Sequence, residues 1–137
     1  MALLQDRFRP ARLVGTDYDP AQVAFAGAAL ARRWGGLPPS VEVRVADATA
    51  LPFPDASFDR VFAMMMLHHV EVHHGEYSRR PEALREIRRV LAPGGLFVYS
   101  EILRRADVRR RLSELGFTPK LLRTGWRKDV GVYLRPA

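Results

Sequence analysis

Asp17 and Asp47 each stand where a short run of alternating or apolar residues stops, after RLVGT and after VEVRVA. A carboxylate at the carboxyl end of a strand can accept both hydroxyls of a ribose, a bidentate geometry that water does not easily replace. The plainer role for Asp17 is to cap a turn, with Asp19 alone starting the next helix. Further along, His68, His69, His73 and His74 surround Glu71. His69 and His73 are four apart, which puts both on one face if the loop is helical. The order is not H-E-x-x-H and no distant ligand is evident, so no metal site is expected. A histidine here has the acidity to serve as a general base near neutrality, and His68 and His69 are the candidates.

These residues need a scaffold, and the chain reads as one domain over residues 1–137. With 47% hydrophobic and 27% charged residues it has the composition of an ordinary globular protein. The absence of cysteine excludes disulfides and thiolate chemistry and suits a reducing cytoplasm. The longest apolar run, Val61 to Leu67, is too short to span a bilayer, and MALLQDRFRP does not read as a secretory leader. A net charge of +7 raises nucleic acid as a partner. The positive charge is almost all arginine, however, and scattered over several elements. The dense run RRADVRRR carries Val108, Leu112 and Leu115 at helical spacing, so its arginines are expected on the solvated face of an amphipathic helix.

The elements alternate. Met1, Leu4 and Phe8 mark the tail of a helix ended by Pro10. Arg12–Asp17 reads as a strand. The helix after it has Asp19 as N-cap, Pro20 at its first position and Gln22 closing a capping box. Val23, Ala26 and Leu30 face inward, and Gly35-Gly36 stops the helix. Val41–Asp47 alternates as a half-exposed strand. Arg60–Met66 is nearly all apolar, as for a strand covered on both faces. A helix over about Arg80–Ala92 turns through Pro93-Gly94-Gly95 into the strand Leu96–Ser100. An arginine-rich helix ends at Gly116, and strands near Thr118–Arg123 and Val130–Leu134 are too closely linked to be parallel. The fold class is therefore α/β, a three-layer sandwich with a mostly parallel sheet ending in an antiparallel hairpin.

Four blocks, in order, carry a resemblance: VGTDYDP, VRVADATALPFPDASFD, VFAMMMLHHV and LREIRRVLAPGGLFVYSE. Together they resemble the class I S-adenosylmethionine-dependent methyltransferases, within them the small type 11 domains, whose fold is Rossmann-like. The resemblance implies S-adenosylmethionine as cofactor. It gives Asp17 the ribose hydroxyls, with Tyr18 next to it in position to lie against the adenine face. It gives Asp47 the exocyclic amine of adenine and the Ala48 amide a ring nitrogen. Backbone carbonyls near Ala63 and Met64 receive the methionine ammonium. Asp55, Ser57 and Asp59 fall in a turn where Asp and Ser satisfy backbone amides, with Phe53 and Phe58 as packing residues. Some members carry polar residues that hold an acceptor nitrogen where this chain has Met64, Met65 and Met66. That departure favours an apolar small-molecule acceptor over a nucleobase or protein amide.

The family opens with a strand and a glycine-rich turn, E-x-G-x-G-x-G, and none of the ten glycines forms that pattern. The expectation is that this strand is missing, through a start codon assigned too late. The strands ending at Asp17 and near Met64 then keep unpaired inner edges, and cofactor affinity is poor. Two other functions fit parts of the sequence. Asp17 would also serve a nicotinamide ribose in an oxidoreductase, against which ADATALPF and the closing hairpin speak. A truncated, non-catalytic interaction module is the other.

Overall fold

In the computed structural model, which describes residues 10–70, 79–103 and 105–137, the apolar run after Arg12 forms strand β1 (Leu13–Asp17). The helix expected over Met1–Phe8 and the residues His73 and His74 lie outside the described residues. Helix α1 (Pro20–Trp34) follows β1, and strand β2 (Val41–Val45) returns parallel to it, with Leu13 opposite Val41 and Asp17 opposite Val45. Asp19 is the N-cap, its side chain accepting the Ala21 N–H at 2.8 Å, and Pro20 sits where a missing N–H costs nothing. Gly35, at φ 70°, ends the helix in the left-handed conformation that only glycine adopts cheaply. The capping box does not form as expected. The Asp19 N–H that Gln22 was to satisfy is taken by Asp17 Oδ1 at 2.9 Å, a shorter and pre-placed acceptor.

These residues belong to one of two compact units, Met1–Asp47 and Ala48–Ala137. The second contains β3 (Phe58–Met64), α2 (Arg80–Val90), β4 (Leu91–Glu101), α3 (Arg105–Glu114), β5 (Thr118–Thr124) and β6 (Asp129–Leu134). Its four-stranded sheet runs β3-β4-β6-β5. β3 and β4 are parallel, with Met64 opposite Ser100, while β6 pairs antiparallel with both β4 and β5. The closing hairpin thus lies at one edge, as its short connection required. The core gathers Leu84, Ile87 and Leu91, the stripe expected along α2, with Val108 and Leu112 of α3 and Ala63, Phe97, Tyr99 and Tyr133 of the sheet.

β1 pairs with β2 and β3 pairs with β4; among the described residues neither β1 nor β3 has a second strand partner. The expected coverage of β3 on both faces is not found among the described residues. Ala63 is buried, but Phe62 and Met64 on the opposite face are 39% and 56% exposed. The helices of this unit supply apolar side chains to the core cluster that holds Ala63, so an apolar run here marks one packed face and one bare one. Pro93-Gly94-Gly95 also departs from expectation. Instead of a turn before a strand it is an irregular stretch inside β4, between the partners of Phe58 and Arg60, with Gly94 and Gly95 bonded to Arg135.

Arg89 ties the loop before β3 to α2. It donates to the carbonyls of Leu51 and Phe53 and to Asp55 and Glu86, and Glu86 accepts the Leu51 N–H. Asp55 therefore serves an arginine and not a backbone amide, while Phe53 and Phe58 pack edge to face at 5.0 Å, as expected of packing residues. The arginines of α3 are likewise less solvated than a free amphipathic face. Asp107 takes Arg110 and Arg111, and it also takes the buried Arg80 of α2.

Two consequences can be measured. The hydrogen bond from Arg89 holds the Glu86 carboxyl below the usual carboxylate range. Burial pushes Asp107 up, but hydrogen bonds from Arg111, Arg80 and Arg110 outweigh it and leave that carboxyl low as well. Stability from both is fully present above the unfolded carboxyl value, about 4, and is lost as pH falls through the lowered folded values. Melting followed by circular dichroism should be flat from pH 7 to about 5 and fall below about 4, with a shallower acid slope in Glu86→Gln. Separately, a Cβ on Gly131 would lie 2.5 Å from Tyr99 Cε1 and 2.8 Å from Tyr133 Cε2. Gly131→Ala should cost about 1–3 kcal/mol by overpacking, read as a lowered urea midpoint at unchanged slope.

Candidate functional site

The parallel register of β1 and β2 determines where the two candidate carboxylates fall. Asp17 is the last residue of β1, and its carbonyl accepts the Ala46 N–H at 2.9 Å, extending the ladder one step beyond β2. Asp47 follows directly. The two acids thus stand at the same, carboxyl end of adjacent strands, where open α/β sheets present their ligand-binding groups. Asp17 is exposed and its Oδ1 receives the Asp19 N–H, so the carboxylate is both oriented and accessible. The capping role and a ligand role are compatible, because one carboxylate has more acceptor positions than a single N–H uses. Tyr18 projects into solvent at 77% exposure. Asp47 and Ala48 are half-buried.

In the second unit the carboxyl ends of β3 and β4 define another cluster. β3 ends at Met64, and Met65 bends the chain away at φ 58° while its N–H still reaches the Ser100 carbonyl at 2.8 Å. Ala63 is buried beneath this turn, and Met64 and Met65 are exposed. The turn leads to Leu67, fully buried, whose carbonyl accepts from Arg80 Nε at 3.0 Å. That bond fixes the backbone immediately before His68.

His68 meets an acid that the sequence reading gave no role. Glu101, the last residue of β4, is 0% exposed. Its Oε1 lies 2.6 Å from His68 Nδ1 and accepts the Ile102 N–H at 2.7 Å and the Leu103 N–H at 3.3 Å. Its Oε2 accepts the His68 N–H at 3.1 Å. A signal for it existed, since LFVYSE ends an apolar strand with an acid just as VGTD and VRVAD do. His69, by contrast, is exposed, its ring tilted 42° to that of His68 with centroids 4.0 Å apart. Among the described residues, no group of three or more metal-ligating side chains comes together. The Ala63–Met64 backbone and the His68–Glu101 pair belong to one unit, Asp17 and Asp47 to the other.

Comparison with known proteins fits this arrangement. A family model described as "Methyltransferase domain" matches residues 1–99. The demethylmenaquinone methyltransferase of Thermus thermophilus is 37% identical over 101 residues, covering 72% of this chain and 40% of that protein. The fatty-acid O-methyltransferase of Mycolicibacterium smegmatis is also 37% identical over 101 residues, covering 74% and 32%. The chain thus spans well under half the length of these curated relatives. Among solved structures, the [4+2]-cyclase SpnF superposes with a TM-score of 0.79 at 21% identity, over 99% of this chain and 71% of that one. The putative methyltransferase bound to the Haloferax volcanii Trm112 activator gives 0.79 at 18% identity, over 99% and 76%. Those likenesses establish the Rossmann-like α/β fold; that one of them is a cyclase is a reminder that the fold alone does not set the reaction. The match over residues 1–99 sets the family: this chain belongs to the class I S-adenosylmethionine-dependent methyltransferases.

Proposed function

We propose that the chain serves the transfer of a methyl group from S-adenosylmethionine to an apolar small-molecule acceptor. The observation that carries this reading is the parallel pairing that aligns Asp17 and Asp47 at one end of β1 and β2. The donor and acceptor set fits the cofactor's nucleoside. Asp17, oriented by the Asp19 N–H, takes the ribose hydroxyls, and Tyr18 offers an exposed ring to the adenine face. Asp47 accepts from the adenine amine and the Ala48 amide donates to a ring nitrogen, a pairing that other bases leave unsatisfied. Within the second unit, taken by itself, the end of β3 offers the carbonyls of Ala63 and Met64 as acceptors for an ammonium group.

Bound there, S-adenosylmethionine supplies an electrophilic methyl group on a neutral leaving group. The protein's task is then alignment, which can supply much of the rate without a catalytic side chain. Exposed Met64 and Met65 present soft, apolar surface at the end of β3, which supports an apolar acceptor over one held by polar groups. Relatives named for demethylmenaquinone and fatty-acid methylation point the same way. The arginines of α3 are occupied by Asp107, Glu114 and Asp129, which speaks against a nucleic-acid face. The cysteine-free composition suits a reducing cytoplasm. No helix among the described residues is long and apolar enough to cross a membrane.

Calorimetric titration with S-adenosylmethionine, carried to millimolar concentration, tests the assignment. Asp17→Ala should weaken binding by about 1–3 kcal/mol, the cost of losing a charged hydrogen-bond partner. Asp17→Asn retains an oxygen for the Asp19 N–H and separates that capping role from the ribose contact. Equal dissociation constants for the three proteins would remove Asp17 from the site.

A further inference from the structure

The carboxyl end of the four-stranded sheet exposes apolar side chains from three segments of the chain. Met64 and Met65 are exposed at the end of β3, and Ile102 and Leu103 are exposed directly after β4. The register brings the β5–β6 hairpin to the same end. Asp129, the first residue of β6, stands opposite Glu101, the last of β4, so the turn over residues 125–128 lies beyond that end of the sheet. Trp126 sits in this turn at 85% exposure. Single apolar residues on a surface are ordinary. A tryptophan left almost wholly in water, at the end where four other apolar side chains are bare, marks a surface that meets something.

The turn is held in place. The Gly125 N–H donates to the Lys128 carbonyl at 2.9 Å, and Arg105 of α3 donates to the Gly125 carbonyl at 2.6 Å. The Arg127 guanidinium lies 5.1 Å from the centre of the Trp126 ring. Charge is a second, independent observation. Between Thr118 and Leu134 the chain carries Lys120, Arg123, Arg127 and Lys128 and a single acid, Asp129. Asp129 is buried and taken by Arg105 and Arg109. The four cations are exposed, and among the described residues none of their side chains holds a carboxylate or a carbonyl.

We propose that this end of the second unit docks on an anionic lipid surface, Trp126 entering the boundary between headgroups and acyl chains while Arg123, Arg127 and Lys128 meet lipid phosphates. Tryptophan suits that boundary because its ring is apolar and its N–H still finds water or a headgroup oxygen. Long basic side chains beside it reach phosphate with their tips while their methylenes cover apolar surface. A peripheral contact of this kind needs no spanning helix. The charge selects among partners. A second copy of the chain would bring the same cations face to face. A nucleic acid would satisfy the cations and leave the apolar side chains uncovered. A surface that is anionic outside and apolar within meets both features. Such docking brings the ends of β3 and β4 to where an apolar acceptor dissolves, yet it stands apart from the methyl-transfer reading, because vesicle binding needs neither cofactor nor acceptor.

Sedimentation of the 137-residue chain with lipid vesicles tests the proposal. Vesicles of equal parts phosphatidylcholine and phosphatidylglycerol should carry the protein down, pure phosphatidylcholine should carry much less, and added salt should release it. Trp126→Ala should weaken partition by about tenfold or more. Arg127→Ala combined with Lys128→Ala should weaken it by about 25-fold. Circular dichroism should be unchanged in both variants, since the altered side chains are exposed. The wild type should show a blue shift of tryptophan emission on anionic vesicles, and Trp126→Phe, which keeps Trp34, should lose it. No sedimentation with anionic vesicles, equal partition into both vesicle types, or unchanged partition in both variants overturns the proposal. Self-association that Trp126→Ala abolishes, or capture by a duplex oligonucleotide in preference to vesicles, assigns the surface to a second copy or to nucleic acid and overturns it as well. Failure in any of these ways leaves the methyl-transfer reading standing, since that reading is tested by the cofactor titration alone.

Discussion

The second unit depends on one strand that is paired on both sides and buried at its carboxyl end, Tyr99 to Glu101. β4 is hydrogen-bonded to β3 on one side and to β6 on the other, and Leu91, Phe97, Tyr99 and Glu101 are inaccessible to solvent. A strand in that position can end only where its last residues find partners, because backbone and side-chain polar groups there have no water to fall back on. Glu101 is that end. Its carboxylate closes the strand by gathering amides from both the segment after β4 and the loop after β3, so the same acid that terminates the sheet also sets the position of His68.

The burial of β4 has a second requirement at Gly131. Tyr99 and Tyr133 lie on the same face of paired strands with ring centroids 5.9 Å apart, and the backbone of β6 passes directly beneath them. No side chain fits there. Gly131 thus lets β6 pair between β4 and β5 beneath the two tyrosine rings. Gly94, bonded to Arg135 beyond the end of β6, ties the other end of this strand pair at the irregular start of β4.

Much of this was legible in the residues, and the failures have physical causes. Strand ends at Asp17 and near Asp47, the N-cap at Asp19, the apolar stripe of α2 and the closing hairpin all rest on local rules of cap, period and connection length. Those rules act within a few residues. β3 was read as covered on both sides because Val61 to Met66 are all apolar, yet hydrophobicity does not say how many faces have a neighbour; Phe62 and Met64 lack one among the described residues. Asp55 was read as serving a turn because the turn is local, while Arg89, which takes it, lies 34 residues away. Glu101 carried the same mark as Asp17 and Asp47, an acid ending an apolar strand. It went unread because its significance comes from His68, 33 positions earlier.

The charge of the chain makes the same point about range. A formal +7 suggests a surface in search of phosphate. Among the described residues many of the arginines are spent on carbonyls and acids: Arg89 on a loop, Arg88 and Arg135 on the ends of neighbouring elements, Arg105 and Arg109 on a buried aspartate. Guanidinium groups suit this work, since several donors in a fixed plane can serve several acceptors at once. Arginine here substitutes for turn residues and caps in holding irregular segments against helices. A basic composition then reports how the fold is tied together before it reports any partner, and what distinguishes the two is the number of acceptors each guanidinium already holds.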